Sequence, residues 1–146
     1  MAGPACDVLI VEDDLAVAEA IRDGIVVSGH TVCGLASTPE QAIALMRLCR
    51  PRLAVIDVEL GGDCDGLEVA RRLLAIAPVG IMFVTGHPER VRSADVGHAW
   101  MPKPYRLLDL INALEVVNAV SARRPISAPV PTELRLIGDT LTGGLA

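Results

Sequence analysis

The sequence predicts an α/β fold in which a parallel five-stranded sheet is covered by helices on both faces. Short apolar runs rich in Val, Ile and Leu alternate with stretches of helical period along the chain. Right-handed crossovers between such strands give a doubly wound sheet. The composition agrees, because 51% of the 146 residues are hydrophobic and only 2% aromatic, and aliphatic β-branched runs are typical of buried parallel strands.

The predicted strands are the five apolar runs, and we expect the sheet order 2-1-3-4-5. Their sequences are VLIV, TVCGLA, LAVIDV, GIMFVT and HAWMP, at residues 8–11, 31–36, 53–58, 80–85 and 98–102.

Helices are predicted between these strands from apolar residues at helical spacing. In the first, LAVAEAIRDGIVVSG, one stripe contains Leu15, Ala18, Ile21, Ile25 and Val26. The second begins at STPEQ, where Ser37 and Thr38 each precede an acidic or amide residue by three positions, as in a capping box. GLEVARRLLAIA forms the third helix. The last helix is predicted to bury Leu107, Leu110, Ile111, Leu114, Val117 and Val120.

Residues 1–122 are predicted to form one domain, and residues 123–146, which are rich in proline and glycine, a flexible tail. The net charge of -5 argues against nucleic-acid binding. The apolar run near the N-terminus is too short for a signal or membrane segment. We therefore expect a cytoplasmic protein with no membrane partner. Reduced thiols are expected, since no metal-finger spacing relates the cysteines Cys6, Cys33, Cys49 and Cys64.

Polar residues follow the predicted strands where their carboxyl ends meet, which is where open parallel α/β sheets bind ligands. The residues at these ends are Glu12, Asp13, Asp14, Asp57, Thr85 and Lys103. Carboxylates this close repel unless a divalent cation neutralises them, and oxygen-only ligands favour Mg²⁺. A lysine and a threonine hydroxyl can bind phosphate oxygens. Together these groups describe a carboxylate that accepts a phosphoryl group. Asp14 is also a good N-cap for the following helix.

Four motifs in order, VLIVEDD, LAVIDV, FVTG and KPY, make residues 6–121 resemble the receiver domain of two-component response regulators, which has a flavodoxin-like fold. The resemblance implies that Asp57 is the phosphoacceptor. It also implies that Mg²⁺ is held by Glu12, Asp13, Asp57 and the main-chain carbonyl of Glu59.

By the same resemblance, Thr85 is the switch hydroxyl, and Lys103 and Gly86 lie at the phosphate site. The peptide bond before Pro104 is expected to be cis. A sensor histidine kinase or histidine phosphotransferase would supply the phosphoryl group, and a protein effector would read it. The resemblance leaves a homodimer open.

Three departures from the usual receiver pattern stand out. The interval from Asp57 to Asp65 is one residue longer than typical, and that from Thr85 to Lys103 is 18 positions, about four fewer than typical. We therefore expect a short or irregular fourth helix. Trp100 stands where receivers usually place a switch Tyr or Phe; it is a candidate switch aromatic, although packing is the favoured interpretation. These features resemble the F-A-T-G subgroup of receivers.

The sequence thus predicts a single-domain signalling phosphoacceptor rather than an enzyme with an external substrate. Two alternatives in signalling stay open: a phosphorylation-independent interaction module and a phosphate sink. An aspartate-nucleophile phosphohydrolase is disfavoured, because such enzymes want Asp two residues after the nucleophile, where this chain has Glu59.

Overall fold

Six strands form one sheet in the order β2-β1-β3-β4-β5-β6. The structure is a computed structural model that describes residues 7–138. The strands are β1 (Asp7–Val11), β2 (Thr31–Ala36), β3 (Leu53–Asp57), β4 (Gly80–Thr85), β5 (Ala99–Pro102) and β6 (Arg135–Leu136). The helices are α1 (Leu15–Val27), α2 (Pro39–Cys49), α3 (Gly66–Leu74) and α4 (Leu107–Ser121), with a 3-10 turn at Pro88–Arg90. The predicted fold class and the order of the first five strands are confirmed.

The helices pack on the two faces of this sheet and create two apolar cores. One core lies between the sheet and helices α2 and α3, and includes Leu9, Ile56 and Phe83. The other lies under α1 and α4 and includes Ile10 and Met82. Alternate residues of each central strand enter opposite cores, so β3 and β4 are buried along their whole length.

Capping residues set the helix starts. Asp14 accepts hydrogen bonds from the amides of Ala16 and Val17 at the start of α1. Thr38 accepts one from Gln41 at the start of α2, whose first residue is Pro39. These are the predicted N-terminal signals, and each satisfies an amide that the helix itself leaves unpaired.

Three predicted stripe residues are exposed, and Ile111 and Val120 of the last helix are half-buried. Leu15 is 62%, Val26 54% and Leu107 39% exposed, and each lies in the first or last turn of its helix.

The segment between β4 and β5 contains the 3-10 turn Pro88–Arg90, and no α-helix lies between these two strands. The prediction of a short or irregular segment there is confirmed. Gly97, with φ of +92°, brings the chain back against the ring of Phe83 before β5 begins.

Within residues 7–138 the sheet has six strands rather than the five predicted. β6 pairs antiparallel with β5, and Leu134 and Ile137 are buried beside it at 7% and 8% exposure. The segment expected to be a flexible tail thus covers the edge of β5 with backbone hydrogen bonds and apolar side chains. Its prolines suggested a linker, but these two side chains bury enough apolar surface to hold it on the sheet. The rest of the predicted tail, residues 139–146, lies outside the described residues.

Candidate phosphoacceptor site

The carboxyl ends of β1, β3, β4 and β5 form one crevice at the edge of the sheet. Asp57 is the last residue of β3, and Thr85 is the last of β4. Glu12 directly follows β1, and its amide donates to the carbonyl of Ala36 at 2.9 Å. The amide of Lys103 donates to the carbonyl of Thr85 at 2.8 Å. Strand register therefore brings the predicted side chains together.

Three carboxylates meet in this crevice. One oxygen each from Glu12, Asp13 and Asp57 lies within 4.8 Å of the others. Asp57 and Glu12 are buried, at 2% and 6% exposure, while Asp13 is exposed. Burial, together with the nearby charge of Asp57, raises the pKa of Glu12 to about 8, although a hydrogen bond from the amide of Asp14 opposes the shift. A buried acid cluster with too little positive charge is the electrostatic condition that a cation would relieve.

Lys103 supplies one positive charge to this cluster. Its Nζ lies 2.9 Å from Oδ2 of Asp57. Burial tends to lower the pKa of Lys103, but the hydrogen bond to Asp57 and the attraction of Asp57, Glu12 and Glu59 outweigh it, so the pKa is raised. The ammonium group therefore stays charged. Tyr105 lies nearby, and burial and the acids raise its phenol pKa to about 12.

The donor set fits Mg²⁺. All three side chains offer carboxylate oxygens, one from the last residue of β3 and two from the residues that directly follow β1, and no His or Cys takes part in this cluster. The amide of Glu59 donates to Oδ1 of Asp57 at 3.0 Å, which fixes the orientation of that carboxylate. Hard oxygen ligands with room for water suit Mg²⁺. The role of the Glu59 carbonyl as a further ligand stays a prediction.

The side chain of Glu59 makes contacts that no sequence pattern predicted. The hydroxyl of Thr85 donates to Oε2 of Glu59 at 2.6 Å, and the amide of Gly86 donates to Oε1 at 2.9 Å. Arg90 lies 3.5 Å from the same carboxylate and 3.5 Å from Asp65. A carboxylate thus occupies two of the three donors that the sequence assigned to the phosphate site, and the third, Lys103, contacts Asp57. The sequence feature that could have indicated these contacts is the acidic side chain of Glu59, two residues after Asp57. The sequence predicted a role only for the main-chain carbonyl of that residue.

The loop between β3 and α3 runs over the acids. Gly61 and Gly62 have φ of +82° and +56°, which favours glycine at both positions. A Cβ at Gly61 would lie 3.0 Å from Oδ2 of Asp13. Gly66, the first residue of α3, lies so close to the main chain of Asp57 and Val58 that a Cβ there would overlap the carbonyl oxygen of Asp57. This glycine lets α3 approach the end of β3.

Two further predicted residues lie beside the crevice. Trp100, in β5, is half-buried and packs against the core under α2 and α3. That position agrees with a packing role, and the switch role stays a prediction. The peptide bond between Lys103 and Pro104 is cis.

A comparison with protein families decides the relationship. Residues 8–115 match the model described as response regulator receiver domain. The chain belongs to the response regulator receiver domain family. The transcriptional regulatory protein PdtaR of Mycobacterium tuberculosis is 31% identical over 140 residues, which cover 88% of this chain and 67% of PdtaR. The phyllosphere-induced regulator PhyR of Methylorubrum extorquens is 34% identical over 90 residues, covering 59% of this chain and 33% of PhyR.

Solved structures of receiver domains share this fold. The N-terminal domain of a response regulator/sensory box/GGDEF protein from Carboxydothermus hydrogenoformans superposes with a TM-score of 0.70 at 28% identity, covering 80% of this chain and 96% of that one. The signal receiver domain of a modulated diguanylate cyclase from Desulfovibrio desulfuricans G20 has the same TM-score and identity, covering 82% and 98%. Within the described residues, none of the receiver's helices is long and apolar enough to cross a membrane.

Proposed function

We propose that this receiver accepts a phosphoryl group on Asp57 and signals through a protein partner. The observation that carries the proposal is the arrangement around that carboxylate, where Lys103 lies at 2.9 Å and Glu12 and Asp13 complete an oxygen cluster. A sensor histidine kinase or histidine phosphotransferase in the cytoplasm is the proposed donor.

The transfer forms one bond and breaks one. A carboxylate oxygen of Asp57 attacks the phosphorus of a phosphohistidine, the P–N bond breaks, and the imidazole keeps the electron pair and takes up a proton. Bound Mg²⁺ would neutralise charge on the acids and on the phosphoryl oxygens. Lys103 binds a phosphoryl oxygen and so stabilises the developing charge, while the amide of Glu59 orients the attacking carboxylate.

Phosphorylation by a small donor tests the proposal. The receiver is incubated with acetyl phosphate or phosphoramidate and Mg²⁺, and its intact mass is measured. We expect a gain of one phosphoryl group that is lost in Asp57→Asn and kept in Asp63→Asn, an exposed acid of the same loop. No gain in the unaltered chain, or a gain that survives Asp57→Asn, would contradict the proposal.

A phosphorylation-independent interaction module is a second candidate, favoured by the two hydrogen bonds that Glu59 accepts. The carboxylate of Glu59 already holds the hydroxyl of Thr85 and the amide of Gly86. A receiver whose phosphate donors are satisfied internally could present a fixed surface to its partner. Unchanged binding of the partner by Asp57→Asn would favour this candidate. A phosphate sink would instead show phosphorylation without any partner that distinguishes the two forms.

A further inference from the structure

A second cluster of ligand-type side chains lies at the other end of β1 from the acid crevice. Asp7 begins β1, Cys33 lies in β2, and Cys49 is the last residue of α2. One oxygen and the two sulfur atoms lie within 4.8 Å of one another, and all three residues are half-buried. They come from three elements, so no sequence spacing indicates the cluster.

The backbone places Cys33 in a special position. The register between β1 and β2 shifts at this point: Val8 pairs with Val32 and Leu9 with Gly34, which leaves Cys33 as the extra residue of a bulge. A bulge changes the direction of the side chain it contains. Cys33 accordingly packs against the core under α2, and its carbonyl lies 3.9 Å from the sulfur of Cys49.

Asp7 brings a negative charge to this cluster. Burial, the neighbouring thiol of Cys49 and the charge of Asp7 raise the pKa of Cys33 to about 12. Thr31 donates a hydrogen bond to Oδ1 of Asp7 at 2.9 Å. Among the described residues, no ion pair links Asp7 to a Lys or Arg. Zn²⁺ displaces the protons of its cysteine ligands when it binds.

We propose that Asp7, Cys33 and Cys49 form a binding site for a soft divalent cation of the Zn²⁺ class. Tetrahedral Zn²⁺ with its usual bond lengths places two sulfurs about 3.8 Å apart and a sulfur and a carboxylate oxygen about 3.5 Å apart. The observed cluster needs only small side-chain adjustments to reach these distances. Thr31 orients the carboxylate from outside the ligand set, as is usual at metal sites.

A metal explains the cluster better than a disulfide. A disulfide would use only the two cysteines, and the charge of Asp7 would hinder it by disfavouring the thiolate that must attack. For a cation, by contrast, the carboxylate is a third ligand. Thiolate ligands select Zn²⁺, whereas the oxygen-only cluster around Asp57 suits Mg²⁺. Bound metal would cross-link the start of β1 to β2 and to the end of α2.

Metal titration of the full chain tests this site. Zn²⁺ is added to reduced protein in excess Mg²⁺, which saturates the acid crevice, and binding is followed by competition with a chromophoric chelator. We expect one equivalent to bind, a rise in the melting temperature that a chelator reverses, and thiolate-to-metal absorption when Co²⁺ replaces Zn²⁺. Cys33→Ser and Cys49→Ser should each lose binding by about tenfold or more. Cys64→Ser, the matched control, should keep it.

Alkylation gives a readout that needs no variant to fold. In the unaltered chain, Zn²⁺ should protect Cys49 from iodoacetamide and leave the labelling of Cys64 unchanged. Failure of Co²⁺ to give thiolate absorption would overturn the site. Zinc binding that is lost in Asp13→Asn but kept in Cys33→Ser would also overturn the proposed site. So would a Cys33–Cys49 disulfide in protein that binds no zinc when reduced.

Discussion

Replacing Glu59 by alanine should make the phosphoacceptor site bind a phosphoryl group more tightly. In the structure its carboxylate holds the hydroxyl of Thr85 at 2.6 Å and the amide of Gly86 at 2.9 Å. A phosphoryl group on Asp57 needs the same two donors, so it must displace this side chain. The substitution removes the competing carboxylate. It leaves in place the backbone of residue 59, whose amide donates a hydrogen bond to Asp57.

The size of the effect follows from the contacts. A hydrogen bond to a charged group contributes about 1.5–3 kcal/mol net, and Glu59 makes two to groups at the end of β4. The displaced carboxylate of Glu59 becomes hydrated, because its side chain is already 24% exposed. The phosphoryl group then accepts the hydrogen bonds from Thr85 and Gly86 in its place. We therefore estimate a net competition of about 1–2 kcal/mol, which corresponds to a factor of about 5–30 in affinity.

Beryllofluoride, which mimics a phosphoryl group on an aspartate, allows this to be measured at equilibrium. Calorimetric titration in Mg²⁺ should give about tenfold tighter binding for Glu59→Ala than for the unaltered receiver. Glu59→Gln should fall between them, since its amide keeps one acceptor without the charge. Glu68→Ala removes an acid on the exposed face of α3 and should change nothing. Equal or weaker binding by Glu59→Ala would refute the competition.

Three further outcomes are expected. Without Mg²⁺, the free energy of unfolding should fall as pH rises from about 4.5 to about 8, because folding raises the pKa of Glu12 and the folded state holds that proton longer. In urea unfolding, Glu12→Gln should show a flatter dependence on pH in this range. An unchanged dependence would contradict the raised pKa of Glu12. Gly66→Ala should destabilise the receiver by about 2 kcal/mol or more, since a Cβ would overlap the main chain of β3. Gly86→Ala, whose Cβ has only an ordinary contact at 3.9 Å, is the control, and equal stabilities of the two variants would refute the predicted overlap. Ile137→Ala should cost about 2 kcal/mol in urea unfolding, whereas Val130→Ala, 49% exposed, should be neutral; equal effects would mean that the β6 segment does not hold to the sheet.

Sequence patterns predicted those parts of the fold that depend on local regularity. The apolar runs around Val8 and Val55 indicate buried parallel strands because both faces of the sheet are covered. Thr38 and Pro39 specify the start of α2 through capping and a fixed φ. The strand ends then bring Asp57 to the acids of β1, which follows from the topology once the strand order is known.

Features that depend on long-range packing were not accessible in this way. The prolines before residue 132 indicate a linker, and nothing local shows that Leu134 and Ile137 cover the edge of β5. The cluster of Cys33 and Cys49 depends on a bulge in β2, which leaves no mark in the spacing of the cysteines. The sequence could not predict the contacts of the Glu59 side chain, because three kinds of group compete for its carboxylate: water, Arg90 and the donors at the end of β4.

The contacts of Glu59 also define where a change at Asp57 would be transmitted first. Arg90, in the 3-10 turn, is held by two carboxylates, Glu59 and Asp65, each at 3.5 Å. Displacing Glu59 from Thr85 leaves Arg90 with a changed partner, while Asp65 stays fixed as the N-cap of α3. This turn has no buried residues of its own, and Val91, which follows it, is anchored in the core at 1% exposure. Arg90 thus links the segment between β4 and β5 to the side chain of Glu59, beside the amide of His87, which donates to the hydroxyl oxygen of Thr85 at 2.9 Å.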